Sequence, residues 1–234
     1  MLFRQLFDQD TGTYTYLLAD EDTRDAVLID SVREQADRDA QLIKELGLNL
    51  KYFLETHIHA DHVTAVSTLK DVFPEARSVG SAQGASCTDI PVKEGSEIHF
   101  GAQTIKVIET PGHTDSCVSY VMKDRVFTGD ALLIRGCGRT DFQQGSSKKL
   151  YASVTEKLFK LPGETRVYPA HNYVGFTVSS IQEEKTLNPR LAGTTEAEFV
   201  EIMSNLDLPK PKRIDEAVPA NMNCGQQEST IKQG

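Results

Sequence analysis

Short apolar runs, some alternating with polar residues and some continuous, are separated along the chain by turns rich in Gly, Pro and Asp. Tyr14 to Leu18 and Ala26 to Asp30 have strand character on either side of a turn at Asp20 to Asp22. Arg33 to Leu46 follows the helical period, and Gly47 supplies its stop. Leu50 to Thr56 predicts a buried strand, Asp61 to Val72 a helix with Val63, Val66, Leu69 and Val72 on one face, and Ala76 to Gly80 another strand. Between Ile98 and Thr128 the pattern becomes one of successive hairpins: Ile98 to Phe100, Thr104 to Glu109, Cys117 to Met122 and Arg125 to Thr128. An amphipathic helix over Lys148 to Leu161, a last strand at Arg166 to Tyr168 and a helix over Val178 to Leu187 complete the prediction. Two strand-rich halves, each needing helices over its outer face, imply an αββα sandwich of two mixed β-sheets.

Composition narrows the class. With 234 residues, 39% hydrophobic and 25% charged, the chain can bury a sizeable core as a single domain, residues 1–234, with a short appendage from about residue 176. Residues 225–234 carry almost no apolar content and are expected to form a flexible tail. A net charge of -9 opposes a phosphate backbone, so no nucleic-acid partner is expected. Residues 1–8 are too short and polar for a signal segment, and no window reaches the roughly 18 apolar residues of a membrane span, so a soluble, cytoplasmic protein is expected. Cys87, Cys117, Cys137 and Cys224 are widely spaced without a Cys-x-x-Cys pair. They indicate neither a zinc ribbon nor a disulfide scaffold and read as reduced thiols.

The chemistry concentrates in histidines. His57, His59, Asp61 and His62 stand within six residues, and His113, Asp130 and His171 each follow a predicted strand. His57 and His59, two apart in extended chain, leave the same face of the backbone. Asp61 also has the plainer reading of a helix N-cap. Thr110-Pro111-Gly112 presents His113 at a loop tip, Gly129 turns the chain into Asp130, and Pro169-Ala170 leads into His171. Of six histidines only His99 falls inside a predicted strand, and it has no assigned role. Seven donors exceed one ion's needs. Two zinc ions sharing Asp130 would suit hydrolysis, with His57, His59 and His113 on one ion and Asp61, His62 and His171 on the other. One iron on His57, His113 and Asp130 would form a facial triad for oxygen chemistry. Ligand identity and spacing leave both open.

The order His-x-His-x-Asp-His, then His, Asp and His, resembles the metallo-β-lactamase superfamily over about residues 10–175, which implies the αββα fold but no single reaction. The Gly-rich segment from Ala131 to Gly145, with Ala170 to Tyr173, Asn188-Pro189-Arg190 and Pro219 to Gly225, is similar to the persulfide dioxygenase (ETHE1-like) branch. That resemblance implies oxidation of glutathione persulfide with O2 and water to sulfite and glutathione. It implies one Fe(II) per chain on His57, His113 and Asp130, with His59, Asp61, His62 and His171 orienting water and ligands around it. Arg139, Asp141, Tyr173 and Arg190 would hold the glutathione part. A homodimer and a functional link to a sulfurtransferase are compatible with the resemblance. Cys224 is readable either as substrate-near or as a small buried residue. Asn172 departs from relatives that carry Asp after the last histidine, which loosens the reading of the hydrogen bonding around His171. The competing reading is a dizinc hydroxyacylglutathione hydrolase of the glyoxalase II type, although only about sixty residues follow His171, too few for the longer helical substrate domain of that branch. A non-catalytic metal-bound interaction module is the remote third.

Overall fold

The computed structural model describes residues 1–226. Strands β1 (Leu2–Asp8), β2 (Thr13–Ala19), β3 (Asp25–Ile29), β4 (Asn49–Leu54), β5 (Arg77–Ser81) and β6 (Ile90–Val92) form one six-stranded sheet in that order, antiparallel up to β3 and parallel beyond it. The second sheet runs β7 (Glu97–Phe100), β8 (Gln103–Glu109), β9 (Val118–Val121), β10 (Arg125–Gly129), β11 (Arg166–Pro169) and β12 (Ser179–Ser180), with β10–β11 its one parallel pair. Both sheets are mixed, as expected.

Strand periodicity explains the layers. Along β2, Tyr14, Tyr16 and Leu18 enter the core between the sheets with Phe127, Tyr120 and Val107, while Leu17 and Ala19 join the outer core. Leu54 and Phe53 split between the same two cores. Helices α1 (Ala36–Glu45) and α2 (Val66–Lys70) cover the first sheet through Ala36, Ala40, Ile43, Val66 and Leu69. On the second sheet lie α3 (Ser147–Ala152), α4 (Ile181–Leu187) and α5 (Glu196–Ser204), through Leu150, Ile181, Phe199 and Met203. This is the αββα sandwich.

Several elements differ from expectation. β1 is an edge strand whose burial does not alternate cleanly, so its pattern is weak in sequence. The helix expected over 61–72 shrinks to α2. The chain before it is tied to the segment after β3 instead, by a Val32–Thr64 bridge, Arg33 N donating to Val63 O and Ala65 N to Ser31 O. Val72 consequently lies outside the helix and is exposed. Beyond α3 the chain continues helically, as a wide turn over Ser153–Lys157 and a tight one over Leu158–Lys160. α4 starts at Ile181 rather than 178, where the Ser180 hydroxyl accepts from Glu183 N as an N-cap.

Helices α5 and α6 (Ile214–Met222) had no place in the prediction. The reduced-thiol reading fails for one pair, because α6 carries Cys224 onto the loop after β5 and it forms a disulfide with Cys87. That pairing spans 137 residues, so no local spacing announces it. Cys117 and Cys137 are free and buried. Of the expected tail, Gly225 is buried and its carbonyl accepts from Arg33 Nη2 and Ser67 Oγ; residues 227–234 lie outside the described residues. Among the described residues no helix is long and apolar enough to cross a membrane.

Candidate metal centre

His57 lies just beyond β4, His113 beyond β8, Asp130 directly after β10 and His171 beyond β11, so both sheets deliver ligands to one edge of the sandwich. His57, His113 and Asp130 each offer one ligand atom within 4.8 Å of the others. Hydrogen bonds settle which atoms these are. The Thr56 hydroxyl gives its proton to Asp30 Oδ2 (2.8 Å), so toward His57 Nδ1 (3.0 Å) it accepts, and His57 Nε2 keeps a lone pair. His113 Nδ1 donates to the Arg139 carbonyl at 2.6 Å, which frees its Nε2, 3.6 Å from Asp130 Oδ2. Asp130 Oδ1 accepts from His171 Nδ1 at 2.7 Å, leaving Oδ2 inward. Three donors, each locked from behind, face one point.

The electrostatics agree. Burial, with the neighbouring His59 charge, pushes His57 well below its ordinary value, which favours the neutral imidazole that a metal would require. Burial would raise Asp130, but His171, His113 and His57 hold its carboxyl well below the usual range. His171 is buried too, yet Asp130 and Asp61 on either side keep its pKa well above that of a free imidazole. Its Nε2 donates to Asp61 Oδ2 at 2.9 Å, so both ring nitrogens serve carboxylates.

The remaining expected residues form a shell around this point. His62 Nδ1 donates to Asp61 Oδ2 at 2.9 Å, and His59 Nε2 to Asp30 Oδ1 at 3.2 Å. Asp61 is therefore no N-cap; its carboxylate gathers two imidazoles. His59 Nδ1 and His62 Nε2 are buried without a partner among the described residues, and with Asp61 they form a second three-donor group. Close approach also constrains the loops. A Cβ on Gly138 would lie 2.7 Å from His113 Nδ1 and 2.6 Å from the Asp130 carbonyl, and one on Gly129 would lie 2.6 Å from Thr56 Oγ1.

The residues expected to hold glutathione are dispersed around the loop from 135 to 145. Arg139 forks onto both oxygens of Asp141 at 2.7 Å, donates through Nη1 to the Pro209 carbonyl and stacks over Phe142. Tyr173 is largely exposed, with its ring stacked 5.9 Å from that of His171. Arg190 donates to the Cys137 carbonyl and braces the loop from behind. Asn172 does not touch His171 through its side chain: Oδ1 accepts from Val174 N and Phe176 N and shapes the following loop.

Sequence reasoning missed Asp30, Thr56, Thr13 and Asn221. Asp30 ends its strand as Asp130 does, a strand followed by a carboxylate, and that repetition was the available signal. Thr13 Oγ1, 3.1 Å from His171 Nε2, carries no such mark, and Asn221, on the distant α6, stood inside the Pro219 to Gly225 resemblance without a role.

The chain belongs to the metallo-beta-lactamase superfamily, whose family model matches residues 9–171. It is 56% identical to "Persulfide dioxygenase ETHE1, mitochondrial" of Homo sapiens over 98% of this chain and 91% of that one, and 56% identical to the Mus musculus protein of that name over 97% and 90%. The crystal structure of ETHE1 from Myxococcus xanthus superposes with a TM-score of 0.95 at 57% identity, over 97% of this chain and all of that one. Within the superfamily, the chain falls on the persulfide dioxygenase branch.

Proposed function

We propose that the chain is a glutathione persulfide dioxygenase with one Fe(II) held by His57, His113 and Asp130. The observation that carries this reading is the locked three-donor set beside a His171 whose two nitrogens are both spent on carboxylates. Two imidazoles and one carboxylate are the donor types of a facial-triad iron site. A second zinc needing His171 would have to break one of that residue's two bonds. Bound at the triad, the iron would supply open positions for a persulfide sulfur and dioxygen.

The protein's own residues do the rest. His171, poised between Asp130 and Asp61, holds protons at Nδ1 and Nε2 and fixes the orientation of the Asp130 carboxylate. Arg139, one Nη1 proton still uncommitted after Asp141 and Pro209, is assigned a glutathione carboxylate, and Asp141 the ammonium group. Tyr173 and Arg190 border the same region in this proposal, and cytoplasmic location, a homodimer and a link to a sulfurtransferase belong to it as well.

The test is oxygen dependence. Purified enzyme is expected to bind about one iron per chain and to consume dissolved oxygen in step with sulfite release from glutathione persulfide, stopping under nitrogen. Efficient anaerobic cleavage of S-lactoylglutathione by protein holding two zinc ions would replace this reading with the hydrolase.

A further inference from the structure

A cavity of about 30 Å³ lies against the centre and touches it at His57 alone among the three proposed ligands. Its wall runs from half-buried Ala85 and Cys224 inward to buried Val79 and Val66 and ends at His57 and Ser116. Two glycines make the space. A Cβ on Gly80 would lie 3.6 Å from Thr88 Oγ1 and 4.0 Å from Glu55 Cβ, and one on Gly84 would meet the Ser81 carbonyl at 3.1 Å and Ile58 Cδ1 at 3.9 Å.

Polar residues share this wall, and most of their polar atoms are engaged elsewhere: Ser81 Oγ accepts from Gln83 N, Ser116 Oγ lies 3.3 Å from Thr114 Oγ1, and the Glu55 carboxyl is turned to Thr64 and His59. Ser78 Oγ bonds Asp89, Thr64 Oγ1 donates to Glu55 Oε1, and Asn221 uses its oxygen on Thr64 N and its nitrogen on two carbonyls. What these groups leave facing inward is largely carbon. A site of this size is far below the several hundred Å³ that a tripeptide derivative needs, and a water there would find few of the two to four partners it requires. An apolar diatomic fits on both counts.

Resting on the dioxygenase reading, we propose that this cavity is a holding site and route for dioxygen, delivering it to the His57 side of the centre while glutathione persulfide enters from the Arg139 side. Gly80 and Ala85 then set how readily oxygen arrives without touching the organic substrate. Gly80 has no left-handed φ and its added Cβ makes only ordinary contacts, so Gly80→Ala narrows the cavity without straining the fold.

Xenon, an apolar atom of similar bulk, reports the site without turnover: crystals of the protein as purified, pressurised with xenon, are expected to show density between Gly80 and His57, lost in Gly80→Ala. In steady state, Gly80→Ala and Ala85→Leu should raise the KM for oxygen by about threefold or more, with KM for glutathione persulfide, kcat at saturating oxygen and melting temperature unchanged. No xenon in the cavity, an unaltered KM for oxygen in both variants, or a rise in the persulfide KM instead would overturn the proposal. Wild-type protein that takes up no oxygen would refute the dioxygenase reading itself, and the xenon result separates that failure from this one.

Discussion

At the scale of single residues, the centre depends on partners that never touch a substrate. Thr56 fixes the tautomer of His57 because its one proton is already committed to Asp30. Thr56→Val should therefore leave the fold in place while weakening metal retention roughly tenfold or more, the usual cost of losing an outer partner of a ligand; competition against a chelator measures it, and unchanged affinity would show that the hydroxyl has no such role. Asp39 makes the opposite case. It is wholly buried on α1, Arg38 Nε donates to its Oδ1, and its Oδ2 has no partner among the described residues. Burial, outweighing Arg38, lifts its pKa from 3.8 to about 6. A folded-state value above the unfolded one means that the native state favours the protonated acid, so stability is fullest below pH 3.8 and is lost as pH rises through about 6. The shift corresponds to about 3 kcal/mol of destabilisation above that window. Asp39→Asn should accordingly raise the melting temperature at pH 8 by several degrees and progressively less toward pH 5. A gain independent of pH would mean that the carboxylate is not the source.

At the scale of elements, what the sequence revealed depended on whether a local pattern carried the structure. β2 and β10, buried throughout, and the buried end of β4 read as strands, and the loops after β8, β10 and β11 were legible because a strand followed by Gly or Pro and then a ligand type recurs. The helix expected over 61–72 failed because Val63, Val66 and Leu69 are all buried, as the helical period required, while the backbone around Thr64 is spent on the neighbouring strand end. α5 had a readable start, a Thr195–Glu198 capping box, that the interrupted apolar pattern after it obscured. α6 contains Pro219 and few large apolar residues, so nothing local marks it. Its role is tertiary: Asn221 accepts from Thr64 N and donates to the carbonyls of His59 and His62. That one amide shapes the whole histidine loop. Asn221→Ala strands a buried donor and two acceptors and should cost about 2 to 4 kcal/mol. The loss should appear as a lower melting temperature together with faster release of the metal; a variant with wild-type stability and retention would free the loop from dependence on α6.

At the scale of the whole molecule, the centre exists only where the two sheets meet. The first sheet supplies His57 to His62 and Asp30, the second His113, Asp130 and His171, and each sheet is wound in simple chain order. The carboxyl end then returns across the first sheet, where Arg33 and Ser67 hold the Gly225 carbonyl and Cys224 joins Cys87. Closing a loop across 137 residues restricts the unfolded chain strongly. The chain-entropy relation puts the effect near 5 kcal/mol, an upper figure because unfolded chains keep some structure. Cys87→Ser alone, Cys224→Ser alone and the double variant should all lose similar stability in denaturant titrations, since removing either sulfur removes the same bond. Reductant should bring the wild type down to their level and leave the variants unmoved. Additive losses, or variants as stable as the oxidised wild type, would mean that the two sulfurs act separately and that hydrogen bonding at Gly225 and Asn221 alone keeps α6 over the histidine loop.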